Sequence, residues 1–258
     1  MRKTAILPVL LATTVSLCLA QAATAAPVVT LKAKAVPISG FPHTGNILGA
    51  GAAVQAEFTI TGTEYGGFPP PLIGVTFYLP KGAKIHSQGF KTCSKATLEQ
   101  SGPAKCPRGS AAGPIGHAQG VVAFGNERVR EEVSIASFFT PNGLLFYTEG
   151  HSPVQLEFLS AGKYVNLAGA GGFGPKLVTT VPLVETVPGA PDASVEKINV
   201  KVGTAMKSHG KTIYYGTMPK KCPKGGFPVK AELTFAGLGG LSQQTVPAKY
   251  KAPCPRGH

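Results

Sequence analysis

The 258-residue chain contains no tryptophan and only 12 acidic residues against 25 lysines and arginines. Each shortage removes a class of chemistry. Sugar-binding sites rely on aromatic platforms, so the missing tryptophan weighs against a carbohydrate-active surface, although Tyr214 and Tyr215 adjoin in "TIYYGT". Asp192 is the only aspartate and lies in the turn-like "APDAS", which excludes an Asp-rich calcium loop. There is no Gly-x-Ser-x-Gly elbow; "EGHSP" and "HSQGF" lack its spacing. His-Glu-x-x-His, a phosphate-cradling loop and a dinucleotide fingerprint are also missing. Beyond the first twenty residues no apolar run reaches the length of roughly 18 residues that a spanning helix needs, so no transmembrane segment is expected in the mature chain.

What is present first is a leader. Arg2 and Lys3 precede the apolar stretch "AILPVLLATTVSLCLA", and "QAATAA" follows with small residues, the order of a secretory signal peptide. Residues 1–26 are therefore expected to be removed, and the mature chain is expected to be secreted. Leu17 stands before Cys18 where a lipoprotein signal needs a small residue, so lipidation is not expected. "FPHTG" at Phe41 resembles a wall-sorting motif but sits just behind the leader rather than near the C-terminus, so covalent anchoring is not expected either.

Alternation of period two dominates the rest. Val54, Ala56, Phe58 and Ile60 share one face of "AAVQAEFTIT"; Ile73, Val75, Phe77 and Leu79 share one face of "LIGVTFYLP". The same pattern runs through Val154, Leu156 and Phe158, through Ile198, Val200 and Val202, and through Val229, Ala231, Leu233 and Phe235. Half-buried strands read this way because successive side chains point to opposite faces. Asn142-Gly143 marks a hairpin, and only "SKATLEQSG", closed by Gly102, has helical character. The predicted class is all-β: an antiparallel β-sandwich or jelly-roll-like domain over residues 27–258. A sub-boundary can fall at "VPGAPDAS", residues 187–194. A single larger sandwich, with that segment as a long crossover, accounts better for the few strands that follow it.

Cys-Pro-Arg-Gly at Cys106 recurs as Cys-Pro-Lys-Gly at Cys222 and Cys-Pro-Arg-Gly at Cys254. Taken as the four positions of a type I turn, the tetrapeptide places Pro second and Gly fourth, with the cysteine ending a strand. Four cysteines in an exported chain imply disulfides. Of three pairings, proximity favours Cys93 with Cys106 and Cys222 with Cys254, contributing on the order of 3 and 4 kcal/mol by loop entropy. Zinc sites bring cysteines in close pairs, unlike these spacings, so no metal or other cofactor is expected.

For catalysis the best cluster is "YTEGHSPVQLEF". Glu149, His151 and Glu157 could meet across a hairpin as the paired carboxylates of a glycoside hydrolase. The plainer reading puts Glu157 on the polar face of a strand and His151 in a turn. "NERVREEV" mixes charges along one strand and reads as a solvated face. His43, His86, His117 and His209 are scattered and read as surface residues rather than a metal set. The positive charge is more suggestive. Lys201, Lys207, Lys211, Lys220, Lys221, Lys224 and Lys230 crowd one stretch, with Lys220, Lys221, Lys224 and Lys230 as the candidate binding surface. Such a surface would be drawn to anionic wall polymers, lipid headgroups or acidic polysaccharide. No aromatic interleaving supports nucleic acid as a partner.

"YLPKGAKIHSQGFKTC", "CPRGSAAGPIGHAQG" and "MPKKCPKGGFPVKAELTF" together resemble a group of exported proteins from high-GC Gram-positive bacteria for which no activity is known. The resemblance implies export and a cysteine-stapled β architecture, and transfers no catalytic residue. The expected function is thus a non-enzymatic exported β-sandwich protein that associates with the cell envelope or another extracellular anionic partner. The rivals are a secreted polysaccharide hydrolase and a structural surface or matrix component. A lysine cluster on one face would favour binding, a cleft around Glu149 and Glu157 the hydrolase, and unpaired strand edges the structural role.

Overall fold

A computed structural model describes residues 26–41, 47–168 and 170–255. The expected leader up to residue 25, Cys18, His43 and most of "FPHTG" lie outside the described residues. In chain order the strands are β1 (Val28–Val36), β2 (Ala53–Thr61), β3 (Leu72–Pro80) and the short β4 (Lys84–Ile85), followed by the helix α1 (Lys95–Ser101). Next come β5 (Gly116–Phe124), β6 (Glu127–Thr140), β7 (Gly143–Gly150), β8 (Leu156–Asn166) and β9 (Phe173–Thr180). The last third supplies β10 (Ser194–Val202), β11 (Ala205–Ser208), β12 (Lys211–Tyr214), β13 (Gly216–Thr217), β14 (Phe227–Phe235) and β15 (Gln244–Ala252).

The antiparallel all-β class and the two cysteine staples agree with the sequence. The two layers are opposite sides of one eleven-stranded sheet, ordered β1-β2-β10-β5-β6-β7-β8-β9-β3-β14-β15, which curls until β15 packs on β1. Every ladder in it is antiparallel. Because the strand number is odd, β1 and β15 run the same way where they meet; no ladder pairs them among the described residues, and Leu31, Ala33, Ala248 and Ala252 share one buried cluster there. The two sheet edges thus face each other. Residues 187–193 belong to a crossover, 181–193, that joins β9 to β10 within this one sheet, and Ser194 opens β10.

Period-two alternation builds the barrel as it would a sandwich. Phe58, Ile60, Leu233 and Phe235 point inward and are almost fully buried, whereas Lys32, Lys34 and Glu57 face out. The charged outer wall is the reverse of the apolar girdle that a membrane barrel presents to lipid. Among the described residues no helix is long and apolar enough to cross a membrane.

Outside the barrel, residues 86–115 fold back over β6 and β7. Ser94 caps α1 by accepting from the Thr97 N–H at 3.0 Å, and Gly102, at φ 69°, ends it. Leu98 inserts its side chain between Phe138, Leu145 and Tyr147, beside the Cys93–Cys106 disulfide. The second disulfide joins Cys222 to Cys254 with 5.9 Å between Cα atoms. The repeated tetrapeptide does turn the chain, but one residue later than expected. The Ser110 N–H donates to the Pro107 carbonyl and the Gly226 N–H to the Pro223 carbonyl, each at 3.0 Å. Gly109 and Gly225 both sit at φ 84° in the third position. That is a type II turn, in which positive φ makes glycine the favoured residue. Cys106 follows a short 3-10 turn, and Cys222 follows a bend, so neither ends a strand; Cys254 lies two residues beyond β15.

Candidate functional site

One end of the barrel is plugged. The β11–β12 hairpin and the segment behind β4 lean over it, and Tyr215 fills the opening with 1% of its surface exposed. Its ring stacks on Phe139 at 4.1 Å between centroids and meets Phe90 edge-on at 5.3 Å. The backbone is tied from both sides: Tyr215 N–H donates to the Thr204 carbonyl, and His86 N–H donates to the Tyr215 carbonyl at 2.7 Å. Burial pushes the Tyr215 phenol up to about 12, keeping it neutral.

The opposite end is crossed by residues 181–193. Because β9 and β10 stand far apart in the strand order, this strap must pass over the mouth to connect them. Its ends and middle are pinned by hydrogen bonds. Val181 N–H donates to the Ile73 carbonyl, the Thr186 hydroxyl to the Ala123 carbonyl, and Ala193 N–H to the Val184 carbonyl. Arg128 fastens its end. The guanidinium donates to the Tyr65 carbonyl and the Ser194 hydroxyl at 2.8 Å each, reaches the Asp192 carbonyl at 3.4 Å, and lies over the Tyr65 and Phe68 rings.

Between plug and strap lies a cavity of about 220 Å³. Its wall is drawn from the inward registers of eight strands, represented by Phe58, Phe77, Ile135, Phe146, Phe158 and Ile198. Pro182, Val184 and Ala193 of the strap close it from below. An apolar cavity of this kind excludes water and accepts apolar guests. Left unfilled, it costs on the order of 5 kcal/mol at roughly 24 cal/mol per Å³. That is comparable with the whole net stability of many domains, about 5–15 kcal/mol. On the same scale a 150 Å³ cavity accommodates benzene, so this one has room for roughly ten non-hydrogen atoms.

One carboxyl group interrupts the apolar wall. Glu131, on β6, lines the cavity with 2% of its surface exposed. Neither of its oxygens has a hydrogen-bond partner of good geometry. Its head fits the notch left by Gly150 on β7, where a Cβ atom would collide with Oε1. Burial raises its pKa, opposed by the nearby backbone N–H groups of Val154 and Ser152 and by the His151 ring. "NERVREEV" is therefore only partly the solvated face it resembles. Arg130 pairs outside with Glu196 at 2.7 Å, and Glu132 accepts from Gln119 at 3.1 Å, but Glu131 turns inward. The signal was in the register: Glu131 occupies the slot shared by Val129, Val133 and Ile135.

The expected catalytic residues come together on the wrong side for a cleft. Glu149 and Glu157 are direct cross-strand partners on the outer wall, and His151 Nε2 lies 3.1 Å from Glu149 Oε1. His151 is 68% exposed, and none of the three lines the cavity. Glu157 instead engages Tyr147, whose phenol is raised chiefly by burial and then by this carboxylate.

The candidate lysines divide. Lys220, Lys221 and Lys224 stand exposed on the loop at the plugged rim, near Lys81, Lys84, Lys207 and Lys211 on its neighbouring segments. Lys230 lies on the wall of β14, paired with Glu232 and 4.9 Å from the Tyr78 ring centre, so it does not belong to that cluster. Of the acidic residues, only Glu99 falls in a segment emerging from the plugged rim. It is carried onto the outer wall by α1, where it pairs with Lys95. Glu64, Glu127, Glu185, Asp192 and Glu196 gather at the strap end. Among the described residues no group of three or more His, Cys, Asp or Glu side chains could hold a metal ion. His117 lies on β5, His209 at a hairpin tip, and His86 beside the Thr217 hydroxyl. Comparison of the chain with protein families, with curated proteins and with solved structures finds no match.

Proposed function

We propose that this chain is an exported, non-enzymatic binding protein that holds one small apolar molecule inside its barrel. The observation that carries the reading is the apolar cavity between plug and strap. Ligand sites are concave, mostly apolar and supplied with few polar groups, which describes this chamber and Glu131. Two disulfides suit an oxidising compartment and support the exported assignment made from the leader.

Calorimetric titration with straight-chain alcohols of increasing length tests the reading. Each methylene that enters the cavity adds about 0.8 kcal/mol, close to fourfold in affinity. Affinity is expected to climb with chain length and level off once the chamber is full, near ten heavy atoms. Absence of saturable binding for every alcohol, or a climb without a plateau, would refute an enclosed site.

A second reading rests on a separate observation, the segregation of charge between the two ends. The rim bearing Lys220, Lys221 and Lys224 is the surface on which the barrel would rest against an anionic cell-envelope polymer or lipid headgroup layer. Cosedimentation with cell envelopes should decline as salt rises, and replacing the three lysines with glutamine should abolish it. Pelleting that ignores both salt and substitution would remove this role. Glu149, half-buried, and Glu157, exposed, both on the outer wall, give hydrolysis no comparable support.

A further inference from the structure

We propose that Glu131 makes the chamber selective for a neutral, hydroxyl-bearing chain: a medium-length alcohol-type lipid whose hydroxyl donates to the buried carboxyl, and not an anionic acyl chain. The inference rests on the apolar-ligand reading and names the head group that site would take.

A carboxyl with 2% exposure and no hydrogen-bond partner of good geometry on either oxygen, with the Val154 and Ser152 N–H groups near it, is an unusual feature in an otherwise apolar wall. Buried polar groups are ordinarily satisfied, and each exception calls for a reason. Here the group is set deliberately in space. Gly150 vacates the position that a side chain would fill, and the carboxyl occupies the notch at the strap end of the cavity. A ligand chain lying along Phe146, Phe158 and Ile198 would bring its head group towards Glu131.

The chemistry of that head follows from what Glu131 accepts. A ligand hydroxyl supplies one proton to an unpartnered oxygen and adds no charge to a low-dielectric chamber. A ligand carboxylate or phosphate would face Glu131 as a second anion. Two acidic groups sharing one buried site cannot both stay ionised, so one proton must be taken up, which costs affinity near neutral pH. An amide or hydroxyl buried without a partner is itself penalised, so a bare alkane leaves the carboxyl unsatisfied and binds less well than the alcohol. The other polar wall groups, among them Gln119, Thr148, Ser160, Thr179 and Ser194, are uncharged and carry no such discrimination.

The test is calorimetric titration of the oxidised full-length mature chain with 1-octanol and, separately, with octanoate at pH 7.5. The unmodified protein is expected to bind octanol at least tenfold more tightly than octanoate. Glu131→Gln, which keeps the shape and removes the charge, should bring octanoate to within about threefold of octanol while leaving octanol affinity nearly intact. Glu131→Leu should weaken octanol by several-fold, since nothing remains to accept its proton. Equal affinity of the unmodified chain for both ligands would overturn the inference while leaving the apolar-ligand reading in place. So would a preference for octanol that survives unchanged in Glu131→Gln. Failure of both ligands to bind the unmodified chain would instead defeat the underlying reading. Equal affinity of the unmodified chain for the two ligands overturns the inference without any variant, so the inference stays falsifiable even where a variant fails to fold.

Discussion

At one end of the barrel, the rings of Phe90, Phe139 and Tyr164 pack around the nearly inaccessible Tyr215; at the other, a partly exposed strap is held by hydrogen bonds and one arginine. Both close the same chamber, yet they do so with different physics. Aromatic packing removes area from water and gives way only when that area is exposed again. A strap held by hydrogen bonds gives up little net energy on opening, because water replaces its partners. Low-stability segments of this kind are the ones from which ligand-admitting loops are drawn. On the proposed reading the strap end is the expected route into the cavity, which would leave the plugged end, with its lysines, free to face another surface.

The sharpest way to break this comparison is at the plug. Tyr215→Ala should cost about 3–5 kcal/mol in urea unfolding, the usual penalty for deleting a buried aromatic ring. It should also open the chamber at the end that is normally shut. A loss below about 1 kcal/mol would show that the plug is ornamental. Next in size come the staples. Replacing Cys222 and Cys254 with alanine should cost on the order of 4 kcal/mol, and replacing Cys93 and Cys106 on the order of 3 kcal/mol, as the closed loops of 32 and 13 residues imply. Equal thermal shifts in reducing and oxidising buffer would contradict this.

At the strap, Arg128→Met should cost less, about 1–2 kcal/mol, because its hydrogen bonds are partly exposed. Its clearer effect is kinetic. Release of a bound alcohol should accelerate several-fold in Arg128→Met while affinity changes little, and release from a chain altered only on the outer wall should not change. If Arg128→Met leaves the release rate untouched, the strap is not the gate.

Much of this architecture was legible in the chain, and the reasons are local. Alternation marked the strands because an inward-facing register looks the same in a barrel and in a sandwich. Ser94 and Gly102 marked the ends of α1. Strand order was not legible: pairing β2 with β10, or β3 with β9, joins residues more than ninety positions apart and leaves no local trace. The turn after Cys106 and Cys222 was misplaced because Pro-base-Gly fits two turn templates, and the positive φ of Gly109 and Gly225 decides between them. Glu131 was missed for a different reason. Charged residues face water so regularly that five of them in six positions read as a solvated strand, although Val129 and Val133 on either side already assigned Glu131 to the interior.

The smallest expected effect is also the most specific to the chamber. Glu131→Gln should stabilise the protein by about 1 kcal/mol at pH 8, the low end of the penalty for a buried unsatisfied group. Its pH dependence carries the argument. Burial raises the carboxyl pKa in the folded chain, so just above the usual glutamate range the native state still holds a proton that the unfolded state has released. The contribution of Glu131 to stability therefore declines as pH rises through that window, and becomes constant once the folded pKa is passed. Glutamine does not titrate. The stability difference between the two proteins should be near zero at pH 4 and grow with rising pH to a plateau. The His151 ring, which pulls the Glu131 pKa down, is controlled by repeating the series in a His151→Asn background. Urea midpoints measured from pH 4 to 8 decide the matter: a difference that is flat across the range would mean that Glu131 already has a partner and that the chamber is not apolar at its strap end.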